Sequence, residues 1–302
     1  MSVFKKRETL VQNIAYMALM AAINVIFVLL TTFVPVLFFL IVFVLPLTST
    51  IVALHCKKKY FPIYAVVTIG LCMLCTIWKI DDTIFYVIPS IISGFIFAIM
   101  VEKGIPAPWI IIATTIVQMA FAYLAVPFIT WVFGRNIITT FASIFKLQDY
   151  QYLDYVVPVA IFFLSLVQCV LSYIVINEEI KKFGFETKET NLLSIQLLLG
   201  LLTAVLMTVI FALTYKPLSY AFLSVALYFT CFLVAGLLQE KKIWIYISLG
   251  VALLITFFTF AICYSYIPVP LGLLMVGVFF VLVGIIVFID NCLLKRKNKD
   301  TI

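Results

Sequence analysis

The chain has 302 residues, of which 66% are apolar and only 11% charged, and its mean hydropathy is +1.25. A soluble protein of this length could not bury so much apolar surface, so composition predicts an all-α, polytopic membrane protein. A membrane β-barrel is excluded because the apolar runs are continuous rather than alternating. The net charge of +7 reflects membrane topology. Nucleic-acid binding is not expected, because the basic residues are not gathered on one soluble face.

The N-terminal segment resembles a secretory signal, since Lys5, Lys6 and Arg7 precede an apolar run at 10–31. That run is longer than the apolar region of a signal peptide, and further apolar runs follow it. We therefore expect the segment to be retained as the first membrane span.

Ten apolar runs follow one another along the chain, each near the roughly 20 residues that a bilayer requires. The predicted spans are about 10–32, 36–54, 60–78, 84–101, 108–132, 155–177, 191–214, 219–238, 243–264 and 270–290.

The basic residues predict the orientation of these spans. With the N-terminus in the cytoplasm, sixteen of the 20 Lys and Arg residues fall on the inner side, and the other four are Lys79, Arg135, Lys146 and Lys216. Such a bias is what the positive-inside rule describes. We therefore expect both termini to be cytoplasmic. Low charge, frequent Ile, Phe and Lys, and no disulfide pattern fit a bacterial plasma membrane.

The longest inner connection, 177–191, predicts an internal boundary because it is charged and contains Gly184. It separates a six-helix unit at 1–180 from a four-helix C-terminal unit at 190–302. No convincing repeat relates the two, so an inverted-repeat carrier is not favoured.

The longest outer connection, 131–155, carries charged and amide side chains interleaved with tyrosines. Its apolar residues at 137, 138, 141, 144 and 145 recur at helical spacing and predict a short amphipathic helix at the membrane surface. Two interpretations have equal weight, a lid over an outward-facing pocket and a passive linker on the lipid headgroups.

Uncharged polar residues lie at membrane depth, whereas Lys, Arg and Glu do not, and Asp290 lies only at the end of the last span. This argues against an ion-coupled transporter and against intramembrane hydrolysis. Spacing places Thr114, Gln118 and Ala122 on one helix face, and Ser165, Gln168 and Ser172 on another. These faces should point into the protein. For Gln118 and Gln168 two roles stay open, hydrogen bonding between helices and the lining of a ligand cavity. For Asn24, hydrogen bonding between helices is favoured.

Chemistry-bearing residues are sparse, so we predict no enzyme, no cofactor and no metal site. Cys72 and Cys75 lie within an apolar span without a second pair, and His55 is the one histidine. Asp81 and Asp82 are neighbours whose side chains point apart, as in a solvated turn.

Small residues Ala15, Ala18 and Ala22 form a stripe on the first span, including an A-x-x-x-A. Together with six spans in the first 180 residues and large outer connections after spans three and five, this layout resembles the S components of energy-coupling-factor transporters. The further spans after IKKFGFETKE, and the ending FIDNCLLKRK, are similar to the YybS-like bacterial membrane proteins.

The resemblance implies a protein that binds a vitamin or another small micronutrient from outside, beneath its outer loops. It would dock on a transmembrane T component, driven by two cytoplasmic ATPases, through Ala15, Ala18 and Ala22. Gln118 and Gln168 are the candidate pocket residues. The implied lid and rim residues are Trp78, Lys79, Asp81, Asp82, Arg135, Tyr150 and Tyr152. The four extra spans depart from the usual S component.

Two other classes of function stay open. One is a non-transporting membrane scaffold or assembly protein, in keeping with the polar-poor interior. The other is a lipid-handling protein, whose expected sign is a lipid-sized groove between the two halves. Aromatic side chains at the outer rim suit a flat ligand, although they also form interfacial belts in any membrane protein.

Overall fold

The structure is a computed structural model that describes residues 7–34, 37–80, 83–134, 139, 143, 153–182, 191–264 and 274–299. Within these ranges the chain is helical and contains no strand. Ten α-helices have both ends within the described ranges: α1 Leu10–Phe33, α2 Phe38–His55, α3 Phe61–Cys75, α4 Ile88–Glu102, α5 Ala107–Phe133, α6 Leu153–Lys182, α7 Ile195–Thr214, α8 Lys216–Gln239, α9 Ile243–Tyr264 and α10 Gly277–Lys299.

In the part of the chain that the structure describes, eight helical stretches are long and apolar enough to cross a membrane, one at each of these ten helices except α2 and α4. The predicted all-α, multi-span class is therefore confirmed, and the chain is a multi-pass integral membrane protein. Helices α2 and α4 are also apolar, but α4 has only 15 residues, fewer than the roughly 20 that span a bilayer at right angles. Their crossing of the membrane stays a prediction.

Residue contacts group the chain into two compact units. The first comprises 1–146 and 161–189, and the second comprises 147–160 and 190–302. Helix α6 thus contributes its first turns to the second unit and its remainder to the first. The separate domains predicted from the sequence stay a prediction.

Helix ends follow local sequence signals. Thr9 and Ser194 cap α1 and α7, because their hydroxyls accept hydrogen bonds from the amides of Gln12 and Leu197, each at 3.3 Å. Gly134 ends α5 with a φ of +64°, a left-handed conformation that glycine adopts without steric cost.

One end of the first unit is held together by its polar connections. The Asn13 amide donates to the carbonyl of Arg7 at 3.0 Å and accepts from the Lys57 amide at 2.9 Å. Lys58 forms an ion pair with Glu102 at the end of α4. The start of α1, the α2–α3 connection and the end of α4 therefore lie at the same end of this unit.

The second unit has a comparable polar end. Lys242, between α8 and α9, donates to Asp290 of α10 at 2.7 Å, and Asp290 is 1% exposed. Asn291 donates to the carbonyl of Leu193, just before α7, at 3.1 Å. These contacts bring together three segments that the basic residues predict to face the cytoplasm.

Candidate functional site

The polar faces of α4, α5 and α6 meet inside the first unit. Thr114 and Gln118 on α5 are buried, as are Ser165 and Ser172 on α6, while Gln168 is half-buried. The prediction that both faces point into the protein is confirmed for the buried residues. Together with α2 they form a small cavity lined by Pro46, Ser93, Gly94, Phe97, Thr114, Gln118, Cys169, Ser172 and Ile176.

Both glutamines bond to neighbouring helices. The Cys169 thiol donates to the Gln118 side-chain oxygen at 3.2 Å, which joins α6 to α5. The Gln168 amide donates to the Ser90 hydroxyl at 3.3 Å, which joins α6 to α4. The predicted hydrogen bonding between helices is therefore confirmed for both residues. It does not exclude a cavity, because Gln118 also lines one.

Helix α2 also lines the cavity, through Pro46, and packs closely against α4. The Thr50 hydroxyl lies 2.8 Å from the carbonyl of Pro46 on its own helix and 3.0 Å from the carbonyl of Gly94 on α4. A Cβ added to Gly94 would lie 2.4 Å from the Pro46 carbonyl oxygen. Helices α2 and α4 thus approach so closely that only glycine fits at this position.

The cavity is small and uncharged. It leaves about 10 Å³ for the centre of a water molecule, which is at the lower limit for holding one water. Its lining offers hydroxyls, an amide and a thiol, with no carboxylate, imidazole or ammonium group. Such a lining can bond a neutral polar group, and it supplies no acid–base pair.

A second polar cluster joins α1, α2 and α3. The Asn24 amide donates to the Tyr64 hydroxyl at 2.8 Å, and its oxygen accepts from the Thr48 hydroxyl at 2.7 Å. All three side chains are buried. This confirms the helix–helix bonding expected for Asn24. Sequence reasoning missed Tyr64 and Thr48, although a tyrosine within an apolar span needs a partner when it is buried.

The proposed lid and rim are only partly described. Trp78 lies in a short turn at Ile77–Lys79 and is 58% exposed, while only the backbone of Lys79 is described. Asp81, Asp82, Arg135, Tyr150 and Tyr152 lie outside the described residues. Of the amphipathic helix predicted within 131–155, Thr139 and Ser143 are described, and both are exposed and helical.

The alanine stripe of α1 is uncovered. Ala15, Ala18 and Ala22 are exposed, whereas Met17, Ala21 and Asn24 on another face of the same helix are buried. Within the chain, α1 therefore packs through its opposite side and leaves this face for lipid or a partner.

Metal-binding and redox groups are not brought together in the part of the chain that the structure describes. No group of three or more His, Cys, Asp or Glu residues lies there in a position to hold a metal ion. Cys72 is buried and Cys75 half-buried, and both are free thiols.

Comparison with known proteins does not place the chain in a family. No protein-family model, curated protein or solved structure matches it. The resemblance to S components therefore depends on span layout and the alanine stripe alone.

Proposed function

We propose that this protein is a substrate-binding membrane subunit for the uptake of a small organic micronutrient in a bacterial plasma membrane. The observation that carries the proposal is the meeting of three polar helix faces at one uncharged cavity in the first unit, lined by Gln118, Thr114 and Ser172. Polar groups at membrane depth are costly, and their concentration at one place is typical of a ligand site.

The ligand class follows from the lining. Hydroxyl and amide groups without a charged side chain suit a neutral ligand with hydrogen-bonding groups. A ligand of vitamin size requires α5 and α6 to separate, because the cavity admits about one water. Pro127 in α5 and Pro158 in α6 interrupt the backbone hydrogen bonds of these helices, and proline is a common site of helix bending.

Access from outside would be governed by the connection between α5 and α6. In this proposal the segment 131–155 acts as a lid. The aromatic and charged residues assigned to its rim by the resemblance are Trp78, Lys79, Asp82, Arg135, Tyr150 and Tyr152.

A T component and two ATPases would supply the energy. The exposed alanine face of α1 supports this part of the proposal, because small side chains allow a second helix to approach closely. Ala15, Ala18 and Ala22 are the proposed docking residues.

The proposal is tested by ligand stabilisation. The purified protein is heated with each member of a vitamin panel, and one ligand should raise its unfolding temperature. Gln118→Leu should abolish that rise. Thr203→Val should keep it, because Thr203 is exposed on α7 and its hydroxyl bonds only to Leu199 of its own helix. A flat response across the panel would count against a binding subunit.

A second candidate is a non-transporting scaffold, favoured by the nearly complete filling of the same cavity. Affinity purification separates the two. The transport proposal predicts that a T component and two ATPases accompany the protein. Recovery of cell-wall or division proteins in their place would favour the scaffold.

A further inference from the structure

The second unit contains an apolar groove that is much larger than the polar cavity of the first. It has a volume of about 440 Å³ and lies among α7, α8 and α10. Its walls include Val205, Val209 and Leu213 of α7, Leu223 of α8, and Val278 and Val281 of α10. The hydroxyl of Thr208, which also lines it, donates to the Ala204 carbonyl of its own helix at 2.9 Å. The groove therefore offers a ligand almost no unsatisfied polar group.

The chemistry of an occupant follows from this lining and from the position of the helices. The stretches Ile195–Thr214, Lys216–Gln239 and Leu274–Cys292 are all long and apolar enough to cross a membrane. A polar ligand would lose its hydrogen bonds to water without replacement in such a groove. A hydrocarbon chain makes no hydrogen bonds that it would lose in the groove, and the surrounding bilayer supplies such chains at high concentration.

Size favours a chain over a single ring. An apolar cavity of about 150 Å³ holds one benzene molecule, and this groove has roughly three times that volume. It can thus hold about three times as many carbon atoms, which approaches the length of a fatty acyl chain.

One end of the groove lies at the helix ends next to Lys216 in the sequence. Leu213 is the penultimate residue of α7, and Leu274 and Met275 belong to the short turn Leu274–Val276 that precedes α10, so the groove reaches these helix ends. Lys216 is the first residue of α8, three positions after Leu213, and it is exposed. Among the described residues it has no ion-pair partner. A lipid phosphate held near this cation would meet complementary charge.

We propose that this groove binds one acyl chain of a membrane phospholipid, with the lipid phosphate near Lys216 at the start of α8. The second unit is then a lipid-binding element, which gives these four helices a role that goes beyond nutrient binding. The site lies within the second unit, unlike the groove between the two halves that a lipid-handling protein was expected to show.

Gly277 offers a direct way to fill the groove. A Cβ added there would lie 4.0 Å from Leu223 Cδ1, which is ordinary contact, so a larger side chain is accommodated only by occupying groove space. Gly250 on α9 provides the matched control, because it is exposed and an added Cβ would meet nothing within 4 Å. Gly277→Phe and Gly250→Phe make the same change inside and outside the groove.

The test measures phospholipid retained by the whole 302-residue chain. Each variant is reconstituted in vesicles of phosphatidylglycerol and phosphatidylethanolamine, extracted in mild detergent, and examined by native mass spectrometry. The original protein and Gly250→Phe should each retain one phospholipid per chain. Gly277→Phe should reduce that occupancy about tenfold or more, because a phenyl ring displaces several methylene groups. Lys216→Gln should weaken retention of phosphatidylglycerol in particular.

Equal lipid retention by all the variants would overturn the proposal. So would loss of lipid from every protein, or a second protein chain bound in place of lipid. If Gly277→Phe does not fold, Ala212→Leu takes its place in the test, because Ala212 lines the same groove from α7. Vitamin-induced stabilisation depends on the first unit and should be unchanged in Gly277→Phe, so the two proposals fail separately.

Discussion

At the scale of single residues, a few buried polar side chains join helices, whereas most buried hydroxyls bond to a carbonyl of their own helix. Asn24 is the clearest case, since one side chain bonds Thr48 on α2 and Tyr64 on α3. A cross-helix hydrogen bond in a membrane protein contributes about 0.6 kcal/mol on average. Loss of Asn24 also leaves two buried hydroxyls without this partner, so its effect should exceed that average.

Asn24→Leu should therefore lower the free energy of unfolding by about 1–3 kcal/mol. The measurement is reversible unfolding in mixed detergent micelles. Thr203→Val serves as the control and should be nearly neutral, because its hydroxyl bonds within its own helix. Equal stability of Asn24→Leu and the unaltered protein would show that the Asn24 bonds contribute nothing.

Asp290 is a buried carboxylate whose charge is compensated by Lys242. The Lys242 side chain is 31% exposed, and it also lies 3.2 Å from Glu240. Lys242→Met should cost about 2–4 kcal/mol, somewhat less than for a fully buried pair because solvent screens the exposed cation. Chemical denaturation at neutral pH measures the loss. Adding Asp290→Asn should restore most of it, and a double variant as unstable as Lys242→Met would contradict this interpretation.

The same ion pair predicts a dependence on alkaline pH. The hydrogen bond that Lys242 donates to Asp290 raises the pKa of Lys242 above the ordinary value of 10.5. The stabilisation is therefore complete below about pH 10.5 and is lost as pH rises through the higher pKa of the folded state. Unfolding measured between pH 7 and pH 11 should show this loss in the unaltered protein. Asp290→Asn should show less of it.

At the scale of helices, the first unit depends on the close approach of α2 and α4. A methyl group at Gly94 would meet the Pro46 carbonyl oxygen at 2.4 Å and the Ser49 Cβ at 2.8 Å. Backbone atoms cannot move aside as a flexible side chain can, so the helices would have to separate. The polar cavity lies at this contact, because Pro46 and Gly94 both line it.

Gly94→Ala should destabilise the protein by about 1–3 kcal/mol, as overpacking of a filled interior does. Gly70→Ala in α3 is the matched control and should be neutral or slightly stabilising, because an added Cβ there meets nothing within 4 Å. Both variants are compared by thermal unfolding in the same detergent. Identical curves would mean that α2 and α4 are less closely packed than described.

Hydropathy predicted the helices well because each one is a continuous apolar run, but it placed their ends less accurately. The third span was predicted at 60–78, whereas α3 ends at Cys75. There the Thr76 hydroxyl bonds back to the Cys72 carbonyl at 2.7 Å and lies 2.6 Å from the Thr83 hydroxyl. That polar turn depends on a contact seven residues away, which an average of apolarity does not detect.

The candidate sites were likewise predicted in part from the sequence, and the remainder depends on how the helices pack. Helical spacing was sufficient to place Gln118 and Ser172 on inward faces. It could not show that Asn24 meets Tyr64, because that contact depends on how three helices pack. The apolar groove was also unpredictable, since it exists where Gly277 carries no side chain and that of Ala212 is small.

At the scale of the whole molecule, topology is the feature on which the functional proposal depends. In the first unit, Asn13 and Lys58 connect three segments predicted to be cytoplasmic. In the second unit, Lys242 and Asn291 do the same. Each unit by itself is therefore consistent with the orientation that the basic residues predict. This orientation leaves the connection between α5 and α6 facing outward, where a ligand would arrive.

The most direct test is to locate both chain ends relative to the membrane. A single cysteine is placed near each terminus of an otherwise cysteine-free chain, and intact cells are treated with a membrane-impermeant thiol reagent. A third cysteine at position 143, which is exposed, reports on the α5–α6 connection. The proposed orientation predicts labelling at position 143 in intact cells, and labelling at either terminus only after the cells are opened. Labelling of either terminus in intact cells, or protection of position 143, would contradict it.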